Sequence, residues 1–316
     1  MREILMLQPV FTHNIWGGSK LRTEFGYPVE GDDIGECWGI SAHEHGDCTV
    51  KNGAYAGKTL SQLWENEPEL FGNYKSERFP LLTKIIDAKA DLSIQVHPDD
   101  TYVAEHENGS YGKMECWYIL DCEENATIVI GHNAKTKDEL RDMISEGRWN
   151  DFIREIPIQK GDFLQIDPGT VHAIKGGTVI LESQQNSDIT YRVYDYGRLA
   201  SGKPRELHIK QSIDVITTPA KEIGDSVCHT DNVAKNELTE LISCEYYKIF
   251  KLDVAGKMEF EQQFPFLLVS VVEGSGTIDG QTVKKGDHMI LSNGYGKVSV
   301  VGQLKIIAST PNKEQK

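Results

Sequence analysis

No stretch of this chain approaches the roughly 18 consecutive apolar residues of a membrane-spanning helix. The opening run, Met1-Arg2-Glu3-Ile4-Leu5-Met6-Leu7-Gln8-Pro9, lacks the apolar length of a secretion signal, so the expected location is cytoplasmic. Cysteine is sparse and scattered. Cys37, Cys48, Cys116, Cys122, Cys228 and Cys244 include no C-x-x-C pair, and a chain this large without a secretion signal argues against a disulfide framework. Positive charge is also short: 33 Lys and Arg stand against 48 Asp and Glu, a net charge of −15. A surface so acidic excludes non-specific binding to nucleic acid or to anionic membranes, because phosphate contacts need Lys and Arg. It leaves room for a small anionic substrate held in a local cationic pocket. No biased tract occurs, and 39% hydrophobic with 26% charged residues describes an ordinary globular protein.

What is present is mostly strand. Short runs of Val, Ile, Leu, Tyr and Phe are punctuated by Gly, Asp and Asn, which predicts antiparallel β structure. Helices are expected over Thr59–Phe71 with Thr59 as cap, over Asp99–His106, after Thr136 with Glu139 completing a capping box, around residues 149–155, and over Arg205–Val215. A faint repeat links Ile158–Ile166 with Val283–Leu291: each is strand, Gly-Asp turn, strand. Asp279-Gly280 supplies a hairpin turn before the second copy. The expected fold is mainly β, with two cupin-type jelly-roll barrels and short helical additions. The expected division is a first barrel with helical segments over 1–216, a polar linker over 217–240, and a second barrel over 241–316 without metal ligands.

The chemistry gathers on Leu92-Ser93-Ile94-Gln95-Val96-His97-Pro98. Alternation along a strand puts Ser93, Gln95 and His97 on one face and three aliphatic residues on the other. A strand-borne Glu115 follows, and Pro168-Gly169-Thr170-Val171-His172-Ala173 delivers another imidazole from a turn. His97, Glu115 and His172, with the Gln95 amide beside them, form a first shell suited to a divalent metal. Three protein ligands with an open position match a catalytic zinc site better than a structural one. The polar run from Glu182 to Arg198 places Arg192 and Arg198 where they would face an anionic ligand near the metal. Lys84 and Lys113 would add positive charge. His43-Glu44-His45 has ligand-like spacing but runs into a Gly-Asp turn, and is expected to be a solvated strand end.

At these residues the sequence resembles the type I mannose-6-phosphate isomerases in their short bacterial form. The resemblance rests on Ile15-Trp16-Gly17-Gly18, Leu92–Pro98, Lys113-x-Glu115, Pro168–Ala173 and Gln185–Arg192, and spans about residues 7 to 200. Met114 departs from longer relatives, which carry proline there. The resemblance implies a zinc-dependent interconversion of mannose 6-phosphate and fructose 6-phosphate. It implies His97, Glu115, His172 and Gln95 as zinc ligands and Arg192 as the catalytic arginine. Ser93, Lys84, Lys113 and Arg198 are implied around the substrate. Such a reaction also needs a base for the C2 proton, for which Glu182 and a metal-bound water both qualify. The rival readings are another metal-dependent cupin enzyme and a non-catalytic sugar-binding cupin. Monomer and homodimer are both compatible with the sequence.

Overall fold

The computed structural model describes residues 2–107, 110–222, 224, 227–230 and 233–312. The alternating runs become antiparallel sheet. In one seven-stranded sheet, Val227–His229, Asp162–Ile166, Glu115–Asp121, Thr178–Gln185 and Leu81–Ala88 lie side by side, and Val10–Gly18 and Ile34–Ile40 complete the edge. A five-stranded sheet runs Ile153–Pro157, Thr127–His132, His172–Ala173, Ile94–Val96 and Tyr191–Tyr194. These two sheets face each other. Their shared core holds Ile86, Trp117, Ile119, Leu164 and Ile180 from the first sheet with Ile128 and Ile130 from the second. The strands Leu81–Ala88 and Thr178–Gln185 are buried along their whole length. Their polar residues Lys84, Glu182 and Gln184 are therefore enclosed, which needs a functional or hydrogen-bonding reason.

The C-terminal sheet is built from Thr239–Ser243, Tyr247–Gln262, Gly296–Pro311, Leu267–Ile278 and His288–Leu291. The N-terminal strand Ile4–Gln8 joins it, pairing with His288–Leu291 on one side and Thr49–Val50 on the other. No local pattern signals this pairing. Both ends of the described chain thus close one sheet. The repeat recurs in hydrogen bonds. In each copy the Asp side chain accepts from the backbone N–H three residues earlier: Asp162 from Gln159 at 2.9 Å and Asp287 from Lys284 at 2.8 Å. Asp279 and Gly280, with φ of 46° and 82°, form the expected hairpin turn.

The helices follow their caps, with shifted ends. Thr59 caps Leu60–Asn66 and exchanges both bonds of a capping box with Gln62. The helix stops at Glu67, because a residue before proline is pushed out of the α region, and Pro68–Phe71 forms a separate 3₁₀ turn. Trp64, Phe71, Phe79 and Phe266 meet at 5.1–6.1 Å, mostly edge to face, and so weld this region to the C-terminal sheet. Thr136 caps Lys137–Ser145, but Glu139 returns its bond to the N–H of Lys135, one residue before the cap. Trp149–Phe152 is one helical turn leading into strand. The last helix of the first barrel begins only at Ile209, so Arg205–His208 stays irregular.

Candidate active site

Three neighbouring strands of the five-stranded sheet set His172, Gln95 and Arg192 in one row. Gln95 pairs with His172 on one side and with Arg192 on the other. Facing them, the seven-stranded sheet carries a second row, Trp117, Glu182, Lys84 and Trp38, again direct cross-strand partners. Such partners project to the same face, so register alone aims both rows into the gap between the sheets.

His97 and His172 come within 3.4 and 3.3 Å of the Glu115 carboxylate, and all three are buried. Their nitrogens and oxygen lie within 4.8 Å of one another. The outer nitrogens are committed. His97 Nδ1–H donates to the Ile189 carbonyl at 2.7 Å and His172 Nδ1–H to the Thr170 carbonyl at 2.9 Å. Both Nε2 atoms are thereby left as lone pairs turned inward, the arrangement that fixes metal-ligating imidazoles. Burial pushes the His97 imidazole down to about 3, with Lys113 adding to the effect, and lowers His172 as well. Neutral imidazole is the metal-binding form. Glu115 Oε1 is buried without a hydrogen-bond partner. These donors fit a divalent cation of borderline hardness. The Gln95 amide adjoins His172 at 3.3 Å and would add an oxygen once Oε1 faces the cluster. The Pro168–Ala173 turn needs its glycine: Gly169 has φ +82°, and a Cβ there would strike Thr217 and the Val215 carbonyl.

Lys113 enters the cluster itself. Its ammonium bonds Glu115 and sits 3.1 Å from His97 Nε2. Burial lowers this lysine, but Glu115 and Glu182 outweigh that and hold it above its ordinary value. Glu182 takes one bond, from the Trp117 indole at 3.1 Å to Oε2. Its Oε1 has no hydrogen-bond partner and lies 3.6 Å from Lys84 and 3.8 Å from Lys113. Burial, followed by the Glu115 charge, raises the Glu182 carboxyl despite the two lysines. Lys84 is held over the Trp38 ring at 4.9 Å and 3.9 Å from Glu36.

These groups open on a cavity of about 170 Å³. Ser93, Gln95, Lys84, Lys113, Glu182 and Arg192 all line it. Arg198 does not. Its guanidinium is bound to Asp195 and to the Asp91 carbonyl and lies over the Tyr196 ring at 4.9 Å. Arg205 lines the cavity in its place, although the sequence pattern puts it inside a helix. Asn14, Glu36 and Asp188 also line the wall; of these, only Asp188 falls within a sequence motif, Gln185–Arg192. Glu36 and Trp38 do carry a signal, since both alternate onto the face that meets Lys84.

The His43-Glu44-His45 segment is a strand end with Glu44 and His45 exposed, but His43 is buried. Asp188 accepts from His45 at 2.7 Å and lies 3.7 Å from His43. His43 Nδ1 accepts the His45 backbone N–H, so the proton sits on Nε2, toward Asp188. That tautomer turns an N–H rather than a lone pair toward Asp188, which is not the form that binds a metal.

A jelly-roll barrel enclosing a buried His-Glu-His cluster that could hold a metal ion, beside lysines and arginines on a cavity wall, defines a cupin-class site. Comparison with known proteins is more specific. Residues 4–118 match the phosphomannose isomerase type I catalytic domain and residues 236–311 the mannose-6-phosphate isomerase cupin domain. The chain is 49% identical over 312 residues to mannose-6-phosphate isomerase ManA of Bacillus subtilis, covering 97% of this chain and 98% of that one. It is 46% identical to the mannose-6-phosphate isomerase of Streptococcus mutans, covering 99% and 100%. The crystal structure of the Bacillus subtilis mannose 6-phosphate isomerase superposes with a TM-score of 0.88 at 44% identity, over 97% and 99% of the two chains. The chain belongs to the type I phosphomannose isomerase family.

Proposed function

We propose that the protein interconverts mannose 6-phosphate and fructose 6-phosphate with a zinc ion held by His97, Glu115, His172 and Gln95. The observation that carries this reading is the pair of facing rows: two inward imidazole lone pairs and a buried carboxylate, with an under-bonded Glu182 carboxylate opposite. When bound, the cation supplies electrostatic stabilisation for negative charge on a substrate oxygen.

The chain's own residues do the rest. Glu182 accepts the proton from C2 of the open-chain aldose and returns it to C1, so that a cis-enediol lies between aldose and ketose. Its raised carboxyl suits this, because a base works best with a pKa near the operating pH. Trp117 holds Oε2, leaving Oε1 for the proton. Lys113 bonds Glu115 and lies beside the His97 lone pair, both of which would serve as metal ligands; its ammonium would then turn to the sugar oxygens beside Glu182. Arg192, one strand from Gln95, offers fixed positive charge to the developing oxyanion, and its Nε is buried without a partner. Ser93 and Lys84 line the same cavity and orient the sugar.

The test is Arg192→Ala. Turnover of mannose 6-phosphate is expected to fall by at least about 10³-fold while the protein retains its metal. Near-normal turnover in that variant removes Arg192 from the mechanism.

A further inference from the structure

The turn that delivers His172 touches both imidazoles of the cluster. The Thr170 carbonyl takes the His172 Nδ1–H at 2.9 Å, and the Gly169 N–H donates to the His97 carbonyl at 2.9 Å. A shift of this turn displaces both imidazoles at once, and a metal site tolerates only tenths of an ångström in its ligand distances. The turn has little sheet to hold it, because its strand is the two residues His172–Ala173. Its neighbours must fix the rest.

One neighbour is the segment that leaves the helix Ile209–Val215. The Thr217 N–H donates to the Gly169 carbonyl at 2.9 Å. The approach is close: a Cβ on Gly169 would come within 2.5 Å of Thr217 Oγ1. Thr217 is held in turn. Its carbonyl accepts from His132 Nε2 at 2.9 Å, and since a carbonyl only accepts, Nε2 carries the proton. His132 Nδ1 is buried without a partner, so the bond to Thr217 is the one that orients the ring. The ring is 3% exposed and stacks on Phe152 at 5.5 Å. His132 ends the strand Thr127–His132, in which Ile130 pairs with His172 and the Gly131 N–H donates to the Val171 carbonyl at 2.7 Å. One strand therefore grips the turn twice, through its backbone on one side and through His132 and Thr217 on the other. Lys137 secures the same segment, its ammonium bonded to the Ile213 and Ile216 carbonyls.

We propose that His132 is a positioning residue for the metal cluster: the relay His132–Thr217–Gly169–His97 sets the ligand turn, although His132 is not itself a ligand. This rests on the metal-site reading above and extends it to residues that bind no metal.

The test uses the full chain. Zinc affinity is measured by competition with a chromophoric chelator, and turnover of mannose 6-phosphate at limiting and at saturating zinc. His132→Phe keeps a ring against Phe152 and loses the donor. Its zinc affinity is expected to fall about 10- to 100-fold, with kcat returning toward wild type at saturating zinc. His132→Gln restores an N–H donor and should recover affinity to within about threefold of wild type. His132→Ala gives the same reading as His132→Phe if the larger ring prevents folding. Leu291→Ala in the C-terminal barrel controls for lost stability and should leave zinc affinity unchanged. Thermal melting sets a temperature at which each variant is folded. Unchanged zinc affinity without the His132 donor overturns the proposal. So does a Gln variant no better than Phe, or an equal loss in Leu291→Ala. A wild-type chain that takes up no zinc refutes the metal site and the relay together. His132-dependent zinc binding in a protein that leaves mannose 6-phosphate unchanged supports the relay and refutes the proposed reaction.

Discussion

The two barrels share a repeat, a Gly-Asp turn and a sheet architecture, yet their interiors are opposites. Between the first barrel's sheets lie His97, Glu115, His172, Glu182, Lys84 and Lys113, all buried. The corresponding interior of the C-terminal barrel is filled by Leu252, Phe260, Leu267, Val269, Leu291, Val300 and Ile306. The scaffold specifies where side chains point, and only the side chains specify chemistry. In the first barrel, ionisable groups are kept in the interior by partnering one another. In the second, close packing alone fills the same volume. The one buried histidine on the second barrel's strands, His288, is spent on structure. Its Nε2–H donates to the Tyr27 hydroxyl at 3.1 Å, and its Nδ1 accepts from Ser270 at 2.8 Å. Its ring fills the space beside Gly39, where a Cβ would clash at 2.4 Å.

Substitutions that interchange the two characters should therefore fail in different ways. The largest effect is expected for His172→Ala, which removes an inward lone pair. It should cost on the order of 10³-fold or more in kcat/KM, and metal analysis should show loss of bound metal. Wild-type metal content and rate in this variant would sever the cluster from the activity. Glu182→Gln conserves shape but not basicity. It should reduce kcat by about 10²- to 10⁴-fold with metal retained, measured in the same coupled assay. In the second barrel the signature is reversed. Leu291→Ala empties part of a packed interior and should cost about 2–5 kcal/mol of stability in denaturant melts, while kcat/KM at temperatures where the variant is folded stays near wild type. A selective loss of kcat with intact stability would show that the second interior is more than packing.

Near neutral pH the smallest effect is a pH dependence. Burial lowers His288 to about 3, with Lys51 adding to it, against about 6.5 in the unfolded chain. Below pH 6.5 the unfolded state binds a proton that the native state refuses. This contribution to stability is complete above pH 6.5 and is lost as pH falls toward 3, by up to about 1.4 kcal/mol per unit. His288→Asn should flatten the stability–pH curve over that window relative to wild type, in urea titrations at fixed pH values. Parallel curves would mean that His288 titrates normally.

Much of this contrast is legible in the sequence itself. The alternation through Ser93, Gln95 and His97 and the turn before His172 single out candidate ligands from local pattern, and the cross-strand pairing of Gln95 with His172 brings them together. The absence of a P-G-x-x-H turn after Val283–Leu291 likewise sets the second barrel apart from the first. What escapes is non-local or hangs on an element boundary. Nothing in Ile4–Gln8 says that it pairs with residues more than 280 positions away. Asp188 meets His45 across 143 positions. Arg205 is hidden because an apolar periodicity over Leu207–Val215 extends a helix backward past its true start at Ile209. Arg198, by contrast, is easily over-read: a guanidinium in a polar run looks available until its carboxylate, carbonyl and aromatic partners are in view.

The most direct test of the central claim is conversion of mannose 6-phosphate to fructose 6-phosphate, followed in a coupled assay before chelation, after chelation, and after adding zinc back. Activity is expected to be lost with the metal and restored by zinc. Robust activity after complete metal removal would contradict that claim, as would a folded, zinc-loaded protein that leaves mannose 6-phosphate unchanged.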